Sequence, residues 1–159
     1  MNPRIVEKIQ LVREGLSKEP LRRRLAIAEL PDGREAMHPE GNWIKYYELA
    51  KVCNGARFGN ILFWNLEELE GNQFPSESIP GGRIRWLVVG KLEDDSLVLE
   101  AGTGMLWRFP WDAHSSPRRG FSDFDWFVEN TALGPGYADA VFNGHEDDWF
   151  LFLKAHGLA

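Results

Sequence analysis

One cysteine in 159 residues, Cys53, has no partner for an internal disulfide, so nothing in the chain calls for an oxidising compartment. No run approaches the roughly 18 apolar residues of a membrane span. The opening Met1-Asn2-Pro3-Arg4-Ile5-Val6-Glu7 lacks the uninterrupted apolar core of a signal peptide. The chain therefore reads as cytoplasmic, with no membrane partner. The four histidines, His38, His114, His145 and His156, show neither HxH nor HExxH spacing, which argues against a metal. A phosphate loop is missing too: Gly102-Thr103-Gly104 joins two strands, whereas such a loop opens a helix. The glycines of Gly55-Ala56-Arg57-Phe58-Gly59 run from helix to strand, the reverse of the dinucleotide-binding order, and read as a chain reversal. No cofactor is implied. Repeats, low-complexity tracts and dividing linkers are absent, so residues 1–159 read as one domain.

What is present is apolar and aromatic. Apolar residues make up 43% of the chain and aromatics 13%, with seven Trp and ten Phe, enough for a core and for a sticky surface besides. Charge is unevenly placed. Residues 1–40 carry eight Lys/Arg against seven Asp/Glu, residues 41–90 five against five, and residues 91–159 five against twelve. A negative field concentrated in the last segment disfavours nucleic acid and speeds the encounter with basic partners. The run Arg22-Arg23-Arg24, flanked by Glu19 and Glu29, reads as a solvated helix face.

Periodicity predicts an α+β chain with helices at both ends. Ile5, Val6, Ile9, Val12 and Leu16 predict a helix over 3–16, opened by Pro3. Leu21, Leu25 and Ala28 suggest one face of a second helix, about 20–28. A turn-rich loop at 31–42 precedes a helix over 43–53, capped by Asn42 and stopped by Asn54-Gly55. Residues 61–64 read as a buried strand. Asn65 with Glu68 three residues on reads as a capped short helix over 66–69. After a loop at 71–83 comes the clearest β signal, an antiparallel meander of 84–89, 96–100 and 105–109. Alternation sets Ile84, Trp86 and Val88 on one face and Arg85, Leu87 and Val89 on the other, so the central strand is expected to be covered on both sides. A polar loop at 112–120 leads to a helix capped by Ser122, which ends at Gly134. Glu146, Asp147 and Asp148 open a last helix over 149–156, where their charge complements the helix dipole.

Two groupings could carry function. His145 beside Glu146 and Asp148 could serve as an acid/base pair in a small hydrolase, although the carboxylates already have a use at a helix start. Cys53, in an apolar helix next to Val52, reads as a small buried hydrophobe and not a nucleophile. The other grouping is aromatic and acidic. Trp107 and Trp111, with Trp86 nearby, lie close in sequence to Glu93, Asp94, Asp95 and Asp112, and aromatic anchors rimmed by charge are what protein interfaces use. Glu93, Asp94, Asp95, Trp107, Trp111 and Asp112 are therefore the expected partner-binding residues.

The order of elements resembles the SUKH superfamily at four places. These are Tyr46-Tyr47-Glu48-Leu49-Ala50-Lys51-Val52-Cys53-Asn54-Gly55, then Ile61-Leu62-Phe63-Trp64-Asn65-Leu66-Glu67-Glu68-Leu69, then Trp86-Leu87-Val88-Val89-Gly90 with Ser96-Leu97-Val98-Leu99-Glu100. The fourth is Phe121-Ser122-Asp123-Phe124-Asp125-Trp126-Phe127-Val128 with Leu133-Gly134-Pro135-Gly136-Tyr137 and Asp148-Trp149. The resemblance implies an antiparallel or mixed sheet flanked by helices, and no enzymatic activity. It further implies either an immunity protein that neutralises a nuclease or deaminase toxin by binding it, or a regulatory scaffold that binds a housekeeping protein. An acidic inhibitor suits a toxin whose substrate cleft is basic.

Overall fold

The structure, a computed structural model, describes residues 1–35, 43–110, 116–117 and 119–159. The expected Asn42 cap, Trp111, Asp112, His38 and His114 lie outside the described residues. Helix α1 (Pro3–Lys18) forms as the apolar spacing predicts. The Asn2 side chain accepts from the Arg4 N–H, Pro3 occupies the first turn, and Ile5, Ile9, Val12 and Leu16 form the buried stripe. Gly15 lies on the same helix because α9 (Asp148–Ala155) packs there. A Cβ at Gly15 would come within 2.8 Å of the Phe152 ring.

Helix α2 (Leu21–Ile27) departs from expectation. Leu21 and Leu25 are exposed, Ile27 is the buried residue, and Ala28 is extended at the start of strand β1 (Ala28–Glu29). Helix α3 (Ile44–Val52) follows, then the hairpin of β2 (Arg57–Phe58) and β3 (Ile61–Phe63). Gly59 opens the two-residue turn between them at φ 59°, and a Cβ there would sit 2.2 Å from the Tyr137 hydroxyl. Asn65 caps α4 (Leu66–Leu69) by accepting from the Glu68 N–H at 2.8 Å, as its spacing predicts.

The stretch expected to be loop at 71–83 contains a 3₁₀ turn (Glu70–Asn72) and two short helices, α5 (Phe74–Ser78) and the start of α6 (Gly82–Arg85). Ile84 and Arg85 are thus helical, and strand β4 (Trp86–Leu92) begins two residues later than the alternation suggests. Strands β5 (Asp95–Glu100) and β6 (Met105–Phe109) complete the meander. The end of the expected polar loop is instead an edge strand, β7 (Arg119–Asp123). The helix cap is Asp123, not Ser122: its carboxylate accepts from the Trp126 N–H at 2.8 Å. Helix α7 (Phe124–Trp126) widens into a π-helical segment (Phe127–Ala132), and α8 (Tyr137–Ala140) and a 3₁₀ turn (Gly144–Glu146) lead to α9.

The fold is α+β. Among the described residues the sheet has seven strands, which pair antiparallel in chain order, β1 to β7. One face, called inner here, carries Val89, Leu92, Leu97, Leu99, Leu106 and Phe121 against the helical residues Ile5, Ile9, Tyr46, Phe124, Phe127 and Trp149. The outer face carries Trp86, Val88, Val98 and Phe109 against Ile79, with Trp107 at its margin. Both faces of β5 are therefore covered, and all six of its residues are buried. Val88 and Val89 are both buried, one on each face as alternation gives, and the bulge between Val88 and Gly90 then shifts the phase, so that Val89 and Leu92, three residues apart, both face inward. The buried Gln73 amide attends to the bulged backbone: it accepts from the Val88 N–H at 2.9 Å and donates to the Val88 and Leu69 carbonyls at 2.8 Å each.

Candidate functional site

The hairpin of β4 and β5 turns through Glu93-Asp94, between the paired residues Leu92 and Asp95. Glu93 takes the left-handed conformation (φ 56°), and its N–H donates to the Asn60 carbonyl at 2.8 Å. Side chains alternate across a strand, so the acidic triplet is split. Arg108 lies opposite Leu97, an inner-face residue, and reaches the inner side of the tip. Its Nε donates to Asp95 Oδ2 at 2.7 Å, its Nη2 to Glu93 Oε2 at 2.8 Å and its Nη1 to the Ala140 carbonyl at 3.0 Å. The second Glu93 oxygen accepts from the Phe142 N–H at 2.8 Å. Asp95 and Arg108 are largely buried, with side-chain exposures of 7% and 13%. Charges removed from water persist when each is paired and hydrogen-bonded, which this cluster achieves. Glu93 and Asp95 thus bind within the molecule.

Asp94 alone of the three is exposed. It borders an outer-face recess of about 220 Å³ together with Trp64, Phe74, Pro75, Val88, Lys91 and Ser96. Trp107 also belongs to the outer face but not to the tip. It pairs with Val98, three residues along β5 from Asp95, about 10 Å by strand rise. Its indole N–H donates to Glu100 at 3.3 Å, and its ring covers Gly120, where a Cβ would fall 2.9 Å from it. Trp107, Trp86, Phe109, Ile79, Pro80, Arg85 and Pro117 line a second recess of about 230 Å³. At its rim Arg85 gives two hydrogen bonds to the buried Glu100, at 2.9 and 2.6 Å, while its guanidinium lies 4.7 Å from the Trp86 ring centre. Burial pushes the Glu100 carboxyl up, but hydrogen bonds from Arg85, Thr103 and Trp107 outweigh it and hold the group below its ordinary value. The sequence grouping therefore divides in two, an acidic tip and an aromatic recess.

Much of the C-terminal acidic surplus is used internally. Asp123 and Asp147 cap helices. Asp125 accepts from Lys45 at 3.0 Å, which raises the lysine pKa, and Glu129 accepts from Asn2 at 2.7 Å. Asp94, Asp139, Glu146 and Asp148 are exposed, and their side chains make no hydrogen bond or ion pair among the described residues.

The hydrolase grouping lies at the start of α9. His145, Glu146 and Asp148 are all exposed, and the His145 ring packs edge-on to Phe150, with centroids 5.5 Å apart. Asp147, which lies between them, makes the polar contacts. It accepts from the Tyr137 hydroxyl at 3.1 Å, the Asn60 amide at 2.9 Å and the Trp149 N–H at 2.9 Å. Cys53 is buried, and burial pushes its thiol up to about 12, which keeps it protonated and unreactive at neutral pH. Among the described residues no three His, Cys, Asp or Glu side chains are grouped to hold a metal ion. Nor is any described helix long and apolar enough to cross a membrane.

Two exposed phenylalanines escaped the sequence reading. Phe74 (67% exposed) stands at the recess beside Asp94, and Phe142 (80% exposed) is tied to the tip by Glu93. A large aromatic just before Asn143-Gly144, a turn signal, was the available clue to Phe142. No family model matches the chain, and no curated protein or solved structure matches it.

Proposed function

We propose that this chain is a non-catalytic binding domain of the SUKH immunity type, which neutralises a basic nuclease or deaminase toxin by occupying its cleft. The observation that carries this reading is the braced acidic tip. Glu93 and Asp95 fix the hairpin through Arg108, and Asp94 is left presented to solvent beside exposed aromatic surface. An interface needs a charge held in place and an apolar neighbour from which water can be expelled, and both are supplied here. The resemblance of four sequence segments to the superfamily favours the same reading. The regulatory-scaffold alternative uses the same surface and differs in its partner.

The test is co-purification of the tagged chain from its own cells, followed by binding kinetics with the recovered protein. A toxin-domain protein supports the immunity reading, and a housekeeping protein supports the scaffold. Asp94→Lys should slow association roughly tenfold at low salt and flatten its salt dependence. Asp95 is left intact because Arg108 needs it. Unchanged association kinetics would remove Asp94 from the interface.

A further inference from the structure

Phe142 is out of place for a core residue and unusually well fixed for a surface one. It follows α8 and precedes Asn143, which turns the chain in the left-handed region (φ 52°). The backbone leading into it is held. The Phe142 N–H donates to Glu93, and the Ala140 carbonyl two residues earlier accepts from Arg108. The residue is nonetheless 80% exposed. An exposed phenylalanine costs solubility, and a backbone fixed by a buried ion pair spares the ordering entropy a binding anchor otherwise loses.

Its charged neighbours along the chain are acidic. Asp139 lies three residues before it and Glu146 four after, both exposed, and Asp94 is next to the Glu93 that holds it. Among the described residues, Arg108 is already committed to Glu93 and Asp95, Lys91 lines the same outer-face recess as Asp94, and Lys154 is placed over the Phe150 ring. The charged residues nearest to Phe142 along the chain, Asp139 and Glu146, are thus both acidic and exposed.

We infer that Phe142 is the anchor of the interface, inserted into an apolar socket rimmed by Lys and Arg on a basic protein partner, and that the Arg108–Glu93 pair holds it in position. This rests on the binding function proposed above and names the residue and the partner surface. Charge complementarity selects the occupant: an acidic partner, or a second copy of this chain, would bring like charges against Asp94, Asp139 and Glu146, and a neutral one would leave them unpaired.

The test replaces Phe142 with the photo-crosslinker p-benzoylphenylalanine in the full chain, in its own cells, with the same replacement at Leu151 on α9 as a control. After irradiation, position 142 should crosslink to the protein that co-purifies, at a residue flanked by Lys and Arg, and position 151 should not. In binding assays with that protein, Phe142→Ala should weaken affinity roughly 30-fold or more, chiefly through faster dissociation, without changing the melting temperature. Asp139→Lys with Glu146→Lys should slow association at low salt. If the partner is recovered but Phe142→Ala alters affinity less than about threefold, or position 142 crosslinks to a second copy or to an acidic surface, the anchor assignment falls and the binding function stands. Recovery of no partner, with no crosslink from either position, removes both.

Discussion

The two faces of the sheet are covered by different means. On the inner face α1, α3 and α9 lay apolar stripes over the strands, and residues such as Ile9, Phe63, Phe124 and Trp149 are sealed from water, with Phe63 meeting Phe124 and Phe127 edge to face and Trp149 stacked on Phe152. On the outer face α5 and α6, helices of five and four residues, cover the central strands only in part. Such short segments cannot present a continuous stripe, so polar links complete the attachment. Gln73 binds the bulged backbone at Val88, the Trp86 indole donates to the Pro80 carbonyl at 2.9 Å, and Arg85 holds Glu100. The comparison separates stability from availability. The inner face is closed and carries the core, while the outer face and the hairpin tip keep aromatic edges and Asp94 open to a partner.

The sharpest way to break this contrast is at the inner core. Phe124→Ala removes a fully buried ring that touches Tyr46 and Phe63, and should cost about 3–5 kcal/mol, read as a fall in the urea midpoint. A loss comparable to that of an exposed site would show that the inner face is not the main source of stability. Gln73→Ala on the outer side should cost less, about 1–3 kcal/mol, because it strands a buried N–H and a carbonyl of Val88. Hydrogen exchange should localise the effect, with the Val88 amide losing protection while the α1 amides keep theirs.

Glu100→Gln is the mildest of the three, and pH reveals it. The Glu100 carboxyl is held below its ordinary value in the folded chain, so its contribution is complete above about pH 4.5, the unfolded value, and is lost as pH falls through the lower folded one. At neutral pH the variant should be destabilised by about 1 kcal/mol, a modest figure because Arg85 is half-exposed and screened. Once the pH falls below the lowered folded value the two proteins should converge. A gap that persists in acid would mean that Glu100 acts by packing and not by charge.

Where periodicity is long, the residues declare their structure. The α1 stripe, the Asn65 cap and the β4–β6 meander were legible because each repeats a spacing or places a capping group in a position with one physical use. Strands β1 and β2 were not, since two residues cannot display a period of two. Strand β7 was hidden in a polar stretch, with one buried residue, Phe121, among its five. The acidic tip was legible in composition, but its division was not. Alternation alone could place Glu93 and Asp95 together. That Arg108 would meet them depends on the register of β6 against β5, which local sequence does not set.

By itself the sequence determined the fold class, the terminal helices, the central meander and the acidic excess of residues 91–159, because propensity, spacing and charge act over a few residues. The tertiary structure decided which carboxylates are spent within the molecule and which face solvent, why Trp107 lies apart from Asp94, and why Phe142 stands exposed at the tip. Those outcomes depend on partners distant in the chain: Arg108 lies 15 residues from Glu93, and Glu93 lies 49 from Phe142. Contacts of that range are chosen by how the whole core packs, and only then does each polar group find or lack a partner.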